Sequence, residues 1–123
     1  MRFLSMIRID ETAGQAPSEQ LMADMGRLIE ELTRSGQLVS TAGLRPTSEG
    51  VRVRLQRGGR LSVLDGPFTE TREHLIGWYV LDVQDLDAAL AWAARSPNAA
   101  TGTVEVRPVV PGSDTASTLA GTP

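Results

Sequence analysis

The residues best able to do chemistry lie in one segment between two predicted strands. The segment reads Asp65-Gly66-Pro67-Phe68-Thr69-Glu70-Thr71-Arg72-Glu73 and is followed directly by His74. If Asp65 is buried beside the apolar ring of Phe68 at the edge of a dimer cleft, its carboxylate could act as a general base or anchor a polar ligand. Asp-Gly-Pro is equally a turn sequence, because Asp accepts local backbone hydrogen bonds and Gly has a permissive backbone. The sequence supports both interpretations.

Three further groups in or beside this segment could assist such chemistry. His74 is the only histidine in the chain, and it could act as an acid or base beside Asp65 or simply pack at a strand start. Glu70 and Glu73 are three residues apart and could hold a divalent ion through oxygen ligands, although two surface carboxylates are more often just solvated. Because no third ligand is evident nearby, no metal is expected.

Arginines on other predicted strands or strand ends could bind an anionic ligand. Arg8, Arg45 and Arg107 each present a guanidinium, which can clamp a carboxylate or phosphate. The structural alternative, and the favoured one, is an ion pair with Glu105 or Asp10.

The side chains of Trp78 and Tyr79 point to opposite faces of the predicted strand. Only one of the two rings can therefore line a cleft, while the other packs beneath a helix. The predicted ligand-binding set comprises Arg8, Asp65, Phe68, Glu70, Tyr79 and Arg107, and the predicted catalytic pair is Asp65 and His74. The chain has no glycine-rich phosphate loop, no Ser-His-Asp order and no zinc-binding spacing, so no cofactor is expected.

Composition limits the kinds of protein this chain can be. Its 123 residues fit one domain, predicted over residues 1–110, with residues 111–123 as a disordered tail of small and polar residues. The net charge is −3, and the twelve basic residues, all arginine, are scattered along the sequence, so nucleic acid is not an expected partner. There is no cysteine.

The N-terminal residues and the lack of a long apolar stretch predict the location of the protein. Arg8 and Asp10 interrupt any apolar run of the kind a signal peptide needs, and no stretch is long enough to span a membrane. A cytoplasmic location is therefore expected.

Local patterns predict the elements that must position these groups. Strands are predicted at residues 2–9, 38–44, 51–57, 61–64, 75–83 and 103–109. Ser18 and Asp85 are predicted to cap two amphipathic helices, which end at Gly36 and before Pro97. In the first strand, Phe3 and its alternate neighbours face away from Arg8.

The order of these elements predicts a fold. The three strands between residues 38 and 64, with a Gly58-Gly59 turn between the last two, are expected to form a meander. The whole order is a split βαβ pattern with both helices on one face of an antiparallel sheet, which is a ferredoxin-like α+β architecture. The other face must be covered by a second copy or left as a cleft. Apolar residues on both faces of strand 75–83 favour a homodimer.

A longer pattern carries a resemblance to a known family. The residues that carry it are Leu64-Asp65-Gly66-Pro67-Phe68-Thr69-Glu70-Thr71-Arg72-Glu73, then Gly77-Trp78-Tyr79-Val80-Leu81, then Asp85-Leu86-Asp87-Ala88-Ala89-Leu90-Ala91-Trp92, and finally Thr103-Val104-Glu105-Val106-Arg107-Pro108-Val109. Over residues 1–110 the chain closely resembles the YCII-related, DGPF-domain family.

The resemblance implies a dimeric α+β barrel built from ferredoxin-like protomers and found mostly in bacteria. Many DGPF proteins are encoded beside sigma factors of the extracytoplasmic-function type. Some distant YCII-like relatives are lyase-type enzymes that rely on a histidine and an aspartate. Their histidine is expected in the N-terminal half, whereas this chain has none before His74.

Three functions follow from these observations. The leading hypothesis is a dimeric module that binds a small molecule or regulates another process. The alternative is a cofactor-independent lyase or isomerase with Asp65 as base and His74 or an arginine assisting. The third, a protein partner of a sigma factor, rests on genomic analogy alone.

Overall fold

The structure is a computed structural model that describes residues 1–10, 18–68, 73–100 and 102–113. The strands are β1 (Arg2–Ile9), β2 (Leu38–Gly43), β3 (Val51–Leu55), β4 (Leu61–Asp65), β5 (His74–Asp82) and β6 (Thr103–Pro108), and the helices are α1 (Glu19–Arg34) and α2 (Leu86–Ala94). Short 3-10 turns occupy Thr47–Glu49 and Pro97–Ala100. Most of the predicted tail, residues 114–123, lies outside the described residues.

Four of the strands form the main sheet. Its order is β2-β5-β1-β6, and every neighbouring pair is antiparallel. Without β3 and β4, the chain order is strand, helix, two strands, helix, strand, so the predicted ferredoxin-like α+β fold is confirmed. The β3–β4 hairpin is an insertion between the second and third strands of that core.

Both helices begin and end where the sequence predicts. The Ser18 side chain accepts a hydrogen bond from the Leu21 amide at 3.0 Å, and the Asp85 side chain accepts one from the Ala88 amide at 2.9 Å. Gly36 follows α1 with a φ of 76°, a left-handed conformation that glycine adopts without strain. Within the described ranges, neither helix is long and apolar enough to cross a membrane.

The core lies between the helices and one face of the main sheet. Side chains from β1, β5 and both helices meet there, namely Phe3, Ile7, Leu28, Leu32, Tyr79, Leu81, Val83 and Ala89. In β1 the buried side chains alternate with half-buried ones, as a strand with one covered face requires. The opposite side of the sheet, called here the helix-free face, presents the half-buried apolar side chains of Leu4, Met6, Trp78 and Val80.

The predicted meander is wrong. β2 pairs with β5 in the main sheet, whereas β3 and β4 pair only with each other in a separate two-stranded sheet. The Gly58-Gly59 turn fixes the β3–β4 pairing, with φ of 87° and 82° at its two glycines. The segment after β2 instead turns away through Pro46 and the 3-10 turn, and that leaves the β2 edge available to β5. The alternation of apolar and polar residues within each strand does not indicate which strands pair.

Candidate functional site

The Asp-Gly-Pro-Phe segment forms a close-packed corner where the hairpin joins the rest of the chain. The Gly66 amide donates to the Gly50 carbonyl at 2.8 Å, and the Gly66–Pro67 peptide bond is cis. A β-carbon at Gly66 would lie only 1.6 Å from the carbonyl oxygen of Thr47. Glycine is therefore needed here for close backbone approach, and Asp65, which ends β4, remains exposed to solvent.

Phe68 anchors this corner. Its side chain is 9% exposed, and its ring would touch a β-carbon at Gly50 at 3.4 Å. The guanidinium of Arg52 lies over the ring, 3.9 Å from its centre, in a cation–π contact. The Phe68 amide donates to the Thr47 hydroxyl at 3.4 Å, and its carbonyl accepts a hydrogen bond from His74 Nε2.

That last hydrogen bond assigns the proton on one ring nitrogen of His74. His74 is buried and begins β5. A carbonyl can only accept, so Nε2 carries the proton and cannot take another from a substrate. Asp65 is exposed while His74 is turned toward Phe68. The structure therefore gives the two predicted catalytic residues different environments, and their catalytic role stays a prediction.

Two of the three predicted arginines, Arg8 and Arg107, lie on the helix-free face or at its rim. Arg8 is 3.5 Å from the Glu105 carboxylate, which is one of the ion pairs that the sequence favoured. Arg107 is exposed and lies opposite Leu4 in the β1–β6 register. Arg45 pairs with Glu49 at 3.0 Å, outside the main sheet.

The two glutamates have different outcomes. The Glu73 carboxylate accepts a hydrogen bond from the Thr103 hydroxyl at 2.9 Å. Glu70 lies outside the described residues, so the predicted carboxylate pair cannot be placed. Among the residues that the structure does describe, no three acidic or histidine side chains are grouped closely enough to hold a metal ion.

Tyr79 lies on the covered face of the sheet, opposite Ser5 in the β1–β5 register. Both side chains are fully buried beneath the helices. Burial raises the pKa of the Tyr79 phenol, and the neighbouring Ser5 hydroxyl offsets part of that rise. Tyr79 is thus a core residue with a polar end, and its predicted ligand contact stays a prediction.

We expect the Tyr79 phenol to ionise only as the protein unfolds at high pH, so that its absorbance follows alkaline unfolding. Because the folded pKa is raised above the ordinary 10.0, the stability contributed by the neutral phenol is fully present below pH 10 and is lost as pH rises through the folded pKa. Tyr79 is the only tyrosine, and the chain has neither cysteine nor lysine, so phenolate absorbance measures this residue without interference. The absorbance should rise together with the loss of far-ultraviolet circular dichroism, and Tyr79→Phe should resist alkali better. Ionisation near pH 10 with unchanged circular dichroism would contradict the prediction.

A recess between α1 and the main sheet was not foreseen from the sequence. It measures about 220 Å³, and its lining includes Leu21, Met22, Met25 and Ile29 on the helix and Gly43 and Gly77 on the sheet. Gly43 and Gly77 are direct partners in the β2–β5 register. The recess forms because two facing strand positions lack side chains beneath an apolar helix face.

The recess is mostly apolar, with one hydroxyl at its lining. That hydroxyl belongs to Thr41 and donates to the Trp78 carbonyl at 2.9 Å, which leaves its oxygen able to accept a hydrogen bond from a ligand. The sequence does hold a signal for this site. Glycine inside a predicted strand often marks the close approach of a ligand or another backbone, and two such glycines lie at positions 43 and 77.

Comparison with known proteins places the chain in a family. A model of the YCII-related domain matches residues 1–113. A protein of Rhizobium meliloti (strain 1021), named Uncharacterized protein R00369, is 39% identical to this chain over 93 residues, which is 74% of each chain. The range matched by the family model contains the corner around Gly66, the covered core and the recess. This chain therefore belongs to the family of proteins with a YCII-related domain.

Proposed function

We propose that this protein is a dimeric module that binds a compact, mainly apolar small molecule in the recess beneath α1. The observation that carries the proposal is the pairing of Gly43 with Gly77, which leaves an open space under Met22 and Met25. Ligand sites are typically concave and apolar with a few polar groups that orient the ligand, and the Thr41 hydroxyl is such a group here.

The volume restricts the ligand class. Pockets that hold drug-sized molecules measure roughly 300–1,000 Å³. A recess of about 220 Å³ is smaller than that. A single aromatic ring system or a short acyl chain fits this space better than a nucleotide or an extended cofactor does.

Support for the dimer comes from the helix-free face. Leu4 and Met6 on β1 lie opposite Val80 and Trp78 on β5, so four large apolar side chains form one patch across two central strands. None of the four belongs to the core cluster on the covered side. A sheet face of this kind is normally packed against another layer.

Filling the recess tests the ligand proposal. A β-carbon at Gly43 would have no atom within 4 Å, and the backbone there has no positive φ, so Gly43→Leu should fill the space without disturbing the fold. Titration with indole, followed by amide chemical shifts, should show binding at the millimolar level expected for so small a ligand. We expect Gly43→Leu to weaken that binding at least about 10-fold.

The matched control is Gly26→Leu. Gly26 is exposed on α1, and a β-carbon there also meets no atom within 4 Å, so the same substitution leaves the recess untouched. Equal indole binding by both variants would place the site elsewhere. No binding of indole or hexanoate to the native protein would remove the small-molecule proposal altogether.

An enzyme built on Asp65 and His74 has less support. Catalysis would require the two side chains to converge on a substrate in an enclosed cleft. Asp65 is instead exposed at the end of β4, and His74 is buried and donates to the Phe68 carbonyl.

A further inference from the structure

The β3–β4 hairpin, residues 51–65, has one largely apolar face that lies in solvent. Three cross-strand pairs form this face, namely Val51–Asp65, Val53–Val63 and Leu55–Leu61. Its five valines and leucines are between 56% and 70% exposed. The one polar member, Asp65, lies at the base of the hairpin beside Gly66. The aliphatic surface therefore extends from the base to the turn and has a single carboxylate at its base end.

The opposite face of the hairpin is basic. Alternation along the strands places on it Arg52, Arg54, Ser62 and Leu64. Arg57 and Arg60 flank the Gly58-Gly59 turn. Within the described part of the chain, no ion pair involves Arg54, Arg57 or Arg60. The hairpin is thus amphipathic, with aliphatic side chains on one face and cationic side chains on the other face and at the turn.

Charge is divided unevenly between the hairpin and the rest of the chain. Residues 51–65 hold four of the twelve arginines and one of the fifteen carboxylates, that of Asp65, so their net charge is +3. The other residues hold eight arginines and fourteen carboxylates, so their net charge is −6. An anionic surface attracts the hairpin and repels the rest of the chain. Charge therefore selects the hairpin as the part that would touch such a surface.

The apolar face of the hairpin lacks a covering layer within the described residues. Apart from pairing with each other, β3 and β4 make little contact with the other described helices and strands. A two-stranded hairpin alone is at best marginally stable in water, and a contiguous exposed apolar patch marks an interaction site. Amphipathic helices with aliphatic residues on one face and arginines on the other lie in the interface of a membrane. The hairpin has the same division of side chains.

The order of side chains along the hairpin also suits a lipid surface. Leu55 is the most exposed of the five aliphatic residues at 70%, and it lies next to the turn. Arg57 and Arg60 are close to it in the chain. The aliphatic stem of an arginine can pack along apolar groups while its guanidinium binds a phosphate at the surface. Asp65 lies at the other end of the hairpin, where its carboxylate stays in water.

We propose that the β3–β4 hairpin binds the surface of an anionic phospholipid membrane, turn end first, with its valines and leucines at the acyl chains and its arginines at the phosphates. The apolar face holds only aliphatic side chains, whereas protein interfaces depend mainly on tryptophan, tyrosine and arginine anchors. Binding at a surface requires no membrane-spanning helix. The inference goes beyond the proposed function and depends on neither the recess nor the dimer.

Co-sedimentation with vesicles tests the apolar contact. The native protein should bind vesicles of equal parts phosphatidylglycerol and phosphatidylcholine at least about 10-fold more tightly than vesicles of phosphatidylcholine alone. Leu55→Gln should weaken binding to the anionic vesicles at least about 10-fold, because it removes a large aliphatic side chain from the apolar face. Leu64→Gln makes the same change on the opposite face, where Leu64 is 52% exposed, and should bind like the native protein. If amide spectra show that Leu55→Gln disrupts the hairpin, Leu61→Gln takes its place.

Arginine variants test the electrostatic contact. Arg54→Gln and Arg60→Gln should each weaken binding to the anionic vesicles about 5-fold, and added salt should weaken binding of the native protein. The matched control is Arg34→Gln, which removes the same charge from α1, where the Arg34 side chain is 74% exposed. This control should bind like the native protein.

The opposite results would overturn the proposal. The native protein would then fail to bind anionic vesicles, or Leu55→Gln and Leu64→Gln would bind them equally well. An equal loss in Arg34→Gln and Arg54→Gln would mean that net charge alone causes adsorption. Sedimentation without vesicles that shows self-association lost in Leu55→Gln would assign the apolar face to a protein contact instead. Indole titration of the same variants reports the recess separately, so failure at the membrane leaves the proposed function standing.

Discussion

Gly66→Ala should lower the stability of the protein by about 3 kcal/mol, which is large for the addition of one methyl group. The reason is steric. The new β-carbon would be placed 1.6 Å from the Thr47 carbonyl oxygen and 2.7 Å from its carbon, and both are backbone atoms. A flexible side chain could move aside, but the 3-10 turn Thr47–Glu49 would have to shift as a unit. The Gly66 amide would also lose its 2.8 Å hydrogen bond to the Gly50 carbonyl if the corner opened.

Gly43→Ala is the control for that experiment. Both substitutions reduce the conformational freedom of the unfolded chain, so most of that effect cancels in their difference, which reports mainly the folded state. At Gly43 the added β-carbon meets no atom within 4 Å. Thermal unfolding should therefore place Gly66→Ala about 10 °C below Gly43→Ala. Equal midpoints would mean that the corner is not close-packed around position 66.

Phe68→Ala should also cost about 3 kcal/mol, measured by urea unfolding. Its ring is 9% exposed and is held between the backbone at Gly50 and the guanidinium of Arg52. Truncation removes the ring from the junction of the β3–β4 hairpin with the rest of the chain and exposes the hydrogen bond between His74 and the Phe68 carbonyl to water. The expected loss is at the low end for a buried phenylalanine because the ring is at the edge of the molecule.

Phe68→Leu separates the volume of the ring from its aromatic character. Leucine keeps most of the buried apolar area but cannot form the cation–π contact, which is worth about 0.5–1 kcal/mol at a partly exposed site. We expect this variant to lose about 1 kcal/mol. If Phe68→Ala were no less stable than Phe68→Leu, the ring would not be an anchor.

The contacts behind these two predictions indicate a structural role for the Asp-Gly-Pro-Phe segment. Gly66 allows the backbone to approach Thr47, and Phe68 packs beneath Arg52 and accepts from His74. Asp65 and Pro67 are exposed to solvent, and of these two only Asp65 has a polar side chain. The contacts of Gly66 and Phe68 pack the base of the β3–β4 hairpin against Thr47 and His74.

The candidate site was only partly predictable. The sequence directed attention to Asp65 and His74 because carboxylates and imidazoles carry chemistry, but a residue type says nothing about burial or hydrogen-bond partners. The recess, in contrast, is built from glycines at positions 43 and 77, which have no side chain to attract attention. Their meaning appears only when β2 and β5 are paired and α1 is placed above them.

The sequence by itself determined the elements of this protein, because the alternation of apolar residues, the capping residues Ser18 and Asp85, and the turn at Gly58-Gly59 act over a few neighbouring positions. It also determined the ferredoxin-like order, since that order follows from the sequence of elements. Only the tertiary structure decided that β2 pairs with β5, that the β3–β4 hairpin forms a separate sheet with its valines in solvent, and that His74 donates to the Phe68 carbonyl. Each of these depends on contacts between residues distant in the chain, and such contacts are selected by the packing of the whole molecule.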